Sequence, residues 1–421
     1  MPELVFLAHR IPYPPDKGDK IRSWNFLNHL AQRYDIRLGC FIDDPRDWEF
    51  TDTLRQLCRD CCFVGITPRL ARLGSLRGLL DGRALTLPYY DNPQLRRWTR
   101  EALALPAVTH ALVYCSAMAQ YIEPDQQQRL RCVADIVDID SAKWADYAQR
   151  ASLPWRWLYQ REARTLQRTE RQIAINFDAT IVATDAELEL LREFAPAGGE
   201  RLASLRNGVD SDYFSPERTY DNPYATGDLP LVFVGAMDYW PNVDAVINFV
   251  NTILPSVQER LPAARFFIVG SNPPPEVTAL ASAPHVVVTG RVPDVRPYVA
   301  HAAAIVAPLR IARGVQNKVL EGMAMGKPVI GSLEALTGIT AEIGTDVLRA
   351  DTAAEFAETI FKAVTTEQGK LVGRHARARM LTDYDWATTL RQLDHMVDGS
   401  AQPQRARALG GAAPLRAARP D

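Results

Sequence analysis

The feature that most constrains the fold is a regular alternation of short apolar runs with amphipathic stretches along most of the 421 residues. Such runs are typical of strands buried on both faces of a parallel sheet, in which each connection needs a crossover helix. The first series of predicted strands lies at 3–7, 36–42, 62–66, 110–114, 132–138 and 178–183. A second series lies at 231–235, 265–269, 286–289, 304–307, 328–331 and 346–348.

Two such series predict an α/β protein with two Rossmann-like, doubly wound domains, because the chain is long for one domain and suits two of about 200 residues. The expected first domain spans 1–206 and the second 207–384. Since doubly wound sheets bind ligands beyond the carboxyl ends of their strands, two facing domains predict a deep cleft. Residues 399–421 are rich in Ala, Gly, Pro and Arg without periodicity, and we expect them to be disordered.

Bulk composition excludes several classes of partner and location. The formal net charge is −2, so no global field favours nucleic acid. No apolar run is long enough to span a bilayer and no secretion signal is evident, which predicts a cytoplasmic protein. Cys58 and Cys61 form a Cys-x-x-Cys pair, but no second pair or nearby His completes a metal site, and we interpret them as buried apolar residues.

The segment 305–330 has the pattern of a phosphate-binding unit, namely a strand, a glycine-bearing loop, a short helix and a second strand. Gly314 permits a tight loop, and the amides at the following helix start would point toward an anion with the helix dipole behind them. These amides belong to Val315, Gln316 and Asn317. Lys318 and Glu321 are three residues apart and share a helix face, which suits phosphate oxygens and ribose hydroxyls respectively. This pattern predicts a nucleoside diphosphate ligand.

The same segment resembles the nucleotide-sugar site of GT-B glycosyltransferases of the large retaining family four. In that family two glutamates lie eight residues apart, and Glu321 matches the second, ribose-binding one, whereas Arg313 occupies the place of the first. Four further segments resemble family motifs in order and spacing, so the resemblance covers nearly the whole chain. They are Arg206–Asp210, Leu231–Asn242, Thr289–Val292 and Tyr384–Trp386.

A narrower resemblance is to the sugar transferases of the PEP-CTERM and exosortase exopolysaccharide systems, through His9–Gly18, Met237–Asn242 and Asp138–Trp144. It implies transfer of a sugar from a nucleoside-diphosphate donor to a hydroxyl of a polysaccharide or lipid-linked acceptor, with retention of configuration. The family resemblance also implies that a last helix near 385–397 crosses back onto the first domain. Within the first loop, Gly18 is expected to approach the donor, with a helix capped by Asp19 as the structural alternative.

The donor-side loop 236–242 lacks the Arg and Lys that many relatives use to hold the diphosphate. We therefore expect the positive charge to come from Lys318, Arg310 and Arg313. By resemblance, the turn at Arg291 and Val292 packs on the base.

Asp138 and Asp140 follow a predicted strand, and alternation would place both on one side, where either could accept the acceptor's proton. The structural alternative is helix capping by Asp140 or Ser141. Ser116 and Asp238 are weaker candidates for contact with the sugar or the acceptor.

We expect no metal and no cofactor, since the helix amides and Lys318 can stabilise a departing diphosphate. Asp-x-Asp is the metal motif of GT-A enzymes, but it occurs three times, at 138/140, 210/212 and 383/385, which shows its low specificity. Two other classes stay open at this point. They are a nucleotide-sugar epimerase, which would need acid and base groups around the sugar C2, and a non-enzymatic two-lobed sugar-binding protein.

Residues 68–89 mix four arginines and several leucines with one acid. This composition suits an anionic membrane surface, and the structural alternative is a core-packed helix with solvated arginines. We therefore expect a cytoplasmic enzyme that can lie at the inner face of the membrane.

Overall fold

The computed structural model describes residues 1–15, 17–312 and 314–399. These residues form two α/β units, each built on a parallel sheet. Every strand pairing among them is parallel, so the predicted doubly wound fold is confirmed. Apart from Gly399, the stretch expected to be disordered lies outside the described residues. No helix in the described part of the chain is long and apolar enough to cross a membrane.

The first sheet has seven strands in the order β3-β2-β1-β4-β5-β6-β7. Its strands are β1 (Glu3–Ala8), β2 (Asp35–Ile42), β3 (Asp60–Gly65), β4 (Val108–Tyr114), β5 (Arg131–Val137), β6 (Ala179–Val182) and β7 (Leu202–Ser204). Alternate residues of β1 belong to different core clusters, Leu4 and Phe6 to one and Val5 and Leu7 to the other. Both faces of the sheet are therefore covered, as a doubly wound fold requires.

Helices of this unit connect the strands as crossovers. They are α1 (Gly18–Leu30), α2 (Thr51–Leu57), α3 (Pro68–Ser75), α4 (Gly78–Asp81), α5 (Thr86–Tyr89), α6 (Pro93–Leu103), α7 (Pro124–Arg129), α8 (Asp140–Arg150), α9 (Trp155–Asn176) and α10 (Asp185–Phe194). Short 3₁₀ helices lie at Pro45–Phe50, Ser116–Tyr121 and Pro196–Arg201.

The second sheet has six strands in the order β10-β9-β8-β11-β12-β13. They are β8 (Leu229–Val234), β9 (Ala264–Val269), β10 (Val286–Gly290), β11 (Ala304–Ala307), β12 (Val329–Gly331) and β13 (Leu348–Arg349). Its helices are α11 (Trp240–Asn248), α12 (Leu254–Arg260), α13 (Pro275–Thr278), α14 (Arg296–Ala300), α15 (Asn317–Ala324), α16 (Leu333–Leu336), α17 (Ala353–Thr365) and α18 (Glu367–Asp383). A π-helical turn, Phe249–Ile253, joins α11 to α12, and a 3₁₀ turn lies at Ala279–Ser282.

The chain passes between the two units twice, and the two passages lie side by side. The Val209 amide donates to the Tyr384 carbonyl over 2.9 Å, and Val209 forms an isolated bridge with Asp385. A Cβ atom on Gly208 would lie 2.6 Å from the ring of Trp386, so only glycine fits there. The last helix, α19 (Trp386–Asp398), then packs into the core of the first unit, in the cluster that contains Leu4 and Phe26.

A buried arginine holds the first passage in place. Arg22 of α1 is fully buried and pairs with Asp135 of β5, with a Nε to Oδ2 distance of 2.6 Å. Its Nη1 also donates to the Leu205 carbonyl over 2.7 Å and to Asn207 Oδ1 over 2.8 Å. One guanidinium thus joins α1, the central sheet and the segment that leads to the second unit.

An Arg22→Met variant is therefore expected to lose about 3–5 kcal/mol of stability, because it leaves the Asp135 carboxylate buried without its partner. Urea unfolding followed by circular dichroism measures the loss. Arg33→Met is the matched control, since Arg33 forms its ion pairs with Asp394 and Asp398 near the surface, and it should cost less than about 1 kcal/mol. Equal unfolding midpoints for the two variants would contradict the assigned role of Arg22.

Candidate active site

The predicted phosphate-binding unit begins where β11 ends and leads into α15. Gly314 has φ of +66°, a left-handed conformation that strongly favours glycine. The helix starts at Asn317, with Gln316 in extended conformation before it and no side-chain cap at its start. The first-turn amides of α15 therefore point out of the helix end toward the interdomain cleft, where they can bind an anion.

Lys318 is buried in this helix rather than solvated. Its Nζ donates to Asn242 Oδ1 over 3.1 Å and to Gln316 Oε1 over 3.3 Å, and lies 5.0 Å from the centre of the Phe233 ring. Burial lowers the pKa of Lys318 to about 8, against the attraction of Glu321, which raises it. The ammonium is held by neutral acceptors, so a bound phosphate would supply the negative charge that its site lacks.

Glu321 is partly buried one turn further along α15. Burial raises the pKa of its carboxyl to about 7, although Lys318 acts in the opposite direction. Both members of the pair are thus less fully charged than on a free surface. Ribose hydroxyls would favour the carboxylate and a diphosphate would favour the ammonium, so a nucleoside diphosphate would restore the charge of both.

Asp138 reaches this site from the first unit. A Cβ atom placed on Gly314 would lie only 2.5 Å from Asp138 Oδ1, so the glycine loop and this carboxyl are in close approach. Asp138 Oδ1 is buried and has no hydrogen-bond partner within the described residues. Burial, with a smaller contribution from Asp140, raises the pKa of Asp138 to about 6. The structure thus brings Asp138 of the first unit against Gly314, in the loop that leads into the helix of Lys318 and Glu321.

Strand alternation is the wrong basis for placing Asp138 and Asp140 together, although Asp140 does lie close enough to raise the pKa of Asp138. Strand β5 ends at Val137, which has φ of +64°, and Asp140 is the first residue of α8. Capping by Asp140 or Ser141 is also wrong, because Ile139 occupies the N-cap without a side-chain bond. Asp140 instead lies 4.0 Å from Lys143 Nζ, and the Ser141 amide donates to Glu170 Oε1 over 3.0 Å.

Gly18 opens α1 at the opposite wall of the cleft. The helix begins at Gly18 itself with Lys17 at the N-cap, so the alternative of a cap by Asp19 is wrong. Asp19 pairs with Arg10 and lies 3.4 Å from His9 Nε2. A Cβ atom on Gly18 would lie 2.9 Å from Asn317 Nδ2. The starts of α1 and α15 therefore face each other across the cleft, in agreement with the expected approach of Gly18 to the donor side.

Sequence reasoning missed two cations that the first unit contributes to the donor-side loop. Lys17 Nζ lies 3.6 Å from Asp238 Oδ2, and Lys143 Nζ lies 5.9 Å from the centre of the Tyr239 ring. The expected cations Lys318, Arg310 and Arg313 all belong to the second unit, as the loop itself does. The available signal was a lysine in each of two segments expected to face the cleft, the loop before α1 and the first turn of α8.

The other candidates lie at the carboxyl ends of strands without converging on Lys318. Arg310 is exposed and its Nε donates to Asp244 Oδ2 over 2.9 Å, so Asp244 already offsets its charge. Val292 packs against the core of the second unit, just after Gly290 ends β10, and Arg291 precedes it. Ser116 is buried, with no hydrogen-bond partner for its Oγ among the described residues. Arg313 lies outside the described residues.

Residues 229–366, which contain this helix and loop, match the family model described as "Glycosyl transferases group 1". The match identifies an enzyme of the glycosyltransferase class. No curated protein sequence matches the chain significantly. Within the described residues, no group of three or more His, Cys, Asp or Glu side chains is arranged to hold a metal ion.

Several solved structures share the GT-B fold of this enzyme. HepE of Anabaena, solved with UDP and glucose, is 15% identical, with a TM-score of 0.65 over 94% of this chain and 100% of its own. Sucrose-phosphate synthase of Thermosynechococcus elongatus is 17% identical, with a TM-score of 0.69 over 94% and 98%. WaaG, a glycosyltransferase of lipopolysaccharide biosynthesis, is 16% identical, with a TM-score of 0.67 over 94% and 100%.

The opposed pKa shifts of Lys318 and Glu321 predict how the affinity of this glycosyltransferase for a nucleotide sugar depends on pH. Binding needs the Glu321 carboxylate, which is lost as pH falls below about 7, and the Lys318 ammonium, which is lost as pH rises above about 8. Affinity should therefore peak between these values and fall by up to tenfold per pH unit on either side. Isothermal titration with UDP-glucose as the probe measures the profile.

A Glu321→Gln variant is the internal control for this profile. It should lose the acidic limb and keep the basic one, because only the carboxyl has been removed. A profile that is flat between pH 6 and pH 9 in the unmodified enzyme would contradict the assignment of both groups.

Proposed function

We propose that this glycosyltransferase moves a sugar from a nucleoside-diphosphate donor to a hydroxyl of a polysaccharide or lipid-linked acceptor. The observation that carries the proposal is the close approach of Asp138 to Gly314, in the loop that leads into the helix of Lys318 and Glu321. A diphosphate at the start of α15 would place the sugar it carries beside this loop, on the side of the cleft to which Asp138 belongs. The Asp138 carboxylate, which belongs to the first unit, would then face the reacting carbon of the sugar.

The chemical demand of the reaction is stabilisation of the departing diphosphate. Fixed amides at the start of α15 and the ammonium of Lys318 are positive groups aimed where negative charge increases. In this proposal they act without a metal ion. Lys17 of the first unit lies on the same side of the cleft, where it pairs with Asp238.

The transfer breaks the bond between the sugar C1 and the diphosphate oxygen and forms a bond between C1 and the acceptor oxygen. We assign to Asp138 the role of binding the acceptor hydroxyl and accepting its proton. With a pKa of about 6 it is mostly ionised at neutral pH, and it is more basic than an exposed aspartate. Asp140 is less suited to this role, since it lies close to Lys143. Retention of configuration, with the departing phosphate sharing in the proton transfer, follows from the family resemblance.

Three observations support the donor and acceptor classes in this proposal. HepE was solved with UDP and glucose, and WaaG acts in lipopolysaccharide biosynthesis, which favours a UDP-sugar and a cell-envelope carbohydrate. The segments His9–Gly18 and Asp138–Trp144, on which the resemblance to exopolysaccharide transferases rests, both reach the cleft. We therefore propose a role in exopolysaccharide biosynthesis of the PEP-CTERM type.

Lys318→Met should lower the rate of sugar release or transfer by about a hundredfold, because charge on the diphosphate grows toward the transition state. Donor affinity should change less. The assay follows labelled sugar from a panel of UDP-, GDP-, ADP- and CDP-sugars in the presence of a chelator. Lys327→Met, just beyond the other end of α15, is the matched control and should retain full activity. An enzyme that turns over none of these donors, or needs added Mg²⁺ or Mn²⁺, would contradict the proposal.

We further propose that the enzyme works at the inner face of the membrane. Leucines of α3, α4 and the turn between them are exposed, contrary to the alternative of a core-packed helix. Their exposed fractions are 68% for Leu70, 67% for Leu73, 48% for Leu76, 38% for Leu79 and 91% for Leu80. Arginines accompany them on the same short segment. A bilayer surface with anionic lipids stabilises exposed apolar side chains that lie next to cations.

Flotation with liposomes tests this location. The enzyme should float with liposomes that contain anionic lipid, and replacing Arg69, Arg72, Arg77 and Arg83 together by Glu should abolish flotation, since each arginine contributes about 1 kcal/mol near the surface. The matched control replaces the exposed arginines Arg168, Arg171, Arg192 and Arg374 by Glu, and should float like the unmodified enzyme. Recovery of the unmodified enzyme in the soluble fraction would leave no support for the membrane surface.

A further inference from the structure

Five aromatic rings form a continuous cluster that crosses from the first unit to the second, and we name it the aromatic bridge. Its members are Trp144, Tyr147, Trp155, Tyr159 and Trp240. Tyr147 of α8 lies 6.3 Å from Trp240 at the start of α11, measured between ring centres. Tyr159 of α9 lies 5.2 Å from Trp144, 6.4 Å from Tyr147 and 6.3 Å from Trp155. The bridge thus links three helices of both units.

Most of the bridge lies outside the core, although Trp144 packs against the small buried cluster around Leu166. Trp155 is 57% exposed and Trp240 is 43% exposed, and residues 142–147 of α8 are all only partly buried. An amphipathic helix packed on a core would alternate between buried and exposed positions. Helix α8 instead buries only Ser141 and Ala148 among its described side chains, as expected for a helix that borders an open groove.

One end of the bridge adjoins the reacting groups. Lys143, one residue before Trp144, lies 4.0 Å from Asp140 and over the ring of Tyr239, next to Trp240. Two residues before Asp140 is Asp138, whose buried Oδ1 has no hydrogen-bond partner in the part of the chain described. The other end of the bridge is the exposed Trp155. The rings therefore lead from the Asp138 region of the cleft to solvent.

We propose that the aromatic bridge is the acceptor subsite and that its occupant is a neutral pyranose residue of the growing chain. A pyranose has an apolar face of C–H groups and a rim of hydroxyls. Aromatic rings match the face, while the Tyr hydroxyls, the Trp N–H groups and Lys143 match the rim. An alkyl chain would leave those polar groups unused. The inference rests on the proposed function, because the sugar bound on these rings would present its reacting hydroxyl to Asp138.

Saturation-transfer NMR in the presence of UDP tests the proposal, with maltotriose, cellotriose, mannotriose and chitotriose as probes. At least one trisaccharide should bind, and Tyr147→Ala and Trp240→Ala should each weaken that binding about tenfold. Trp157→Ala is the matched control, because Trp157 is 54% exposed and has no ring contact among the described residues. It should leave trisaccharide binding unchanged. UDP affinity should be unchanged in all three variants, which also shows that they fold.

Two results would overturn the proposal. One is that no trisaccharide binds, or that binding is equal in the unmodified enzyme and in the Tyr147 and Trp240 variants. The other is that both variants lose UDP affinity and trisaccharide binding in parallel, since the rings would then only hold the two units together. Failure of the proposed function is distinguishable, because an enzyme without nucleotide-sugar turnover could still show trisaccharide binding that depends on the bridge.

Discussion

The buried ion pair between Arg22 and Asp135 is the interaction on which the geometry of the cleft depends. Asp135 Oδ1 also accepts from the Val137 amide over 3.3 Å, at the turn that delivers Asp138. Arg22 lies one turn into α1, whose first residue faces the donor helix. The same guanidinium binds the segment that leads into the second unit. Displacement of this one side chain would therefore disturb the carboxyl, the facing helix start and the interdomain connection together.

In the absence of a ligand, burial disfavours the charged forms of three side chains in the cleft. Lys318 and Glu321 are buried enough for each to lose part of its tendency to ionise, and Asp138 is buried without a hydrogen-bond partner in the described chain. Two further cations, Lys17 and Lys143, are held on the first unit against the donor-side loop. A nucleotide sugar would thus be neutralised by groups from both units. Donor binding would then favour apposition of the two units through these charges.

Much of this arrangement could be predicted from local patterns, because strand and helix periodicities and the glycine at position 314 depend only on neighbouring residues. Lys318 and Glu321 were placed correctly on one buried helix for the same reason. Strand alternation could not predict how Asp138 and Asp140 are oriented, because a positive φ at Val137 ends the strand before both of them. Strand β7, three residues long, is too short to show a period. Lys17, Lys143 and the aromatic bridge were missed because their contacts cross between units, and no local period encodes them.

The return of α19 to the first unit has a consequence for biosynthesis. Trp386, Leu393 and Val397 are part of the core around Phe26, yet they are translated after the whole second sheet. During translation, this apolar surface of the first unit stays uncovered while more than a hundred later residues emerge from the ribosome. The nascent chain therefore exposes a groove for one specific helix throughout synthesis of the second unit. Chaperone binding and misfolding of this protein should concentrate at that groove.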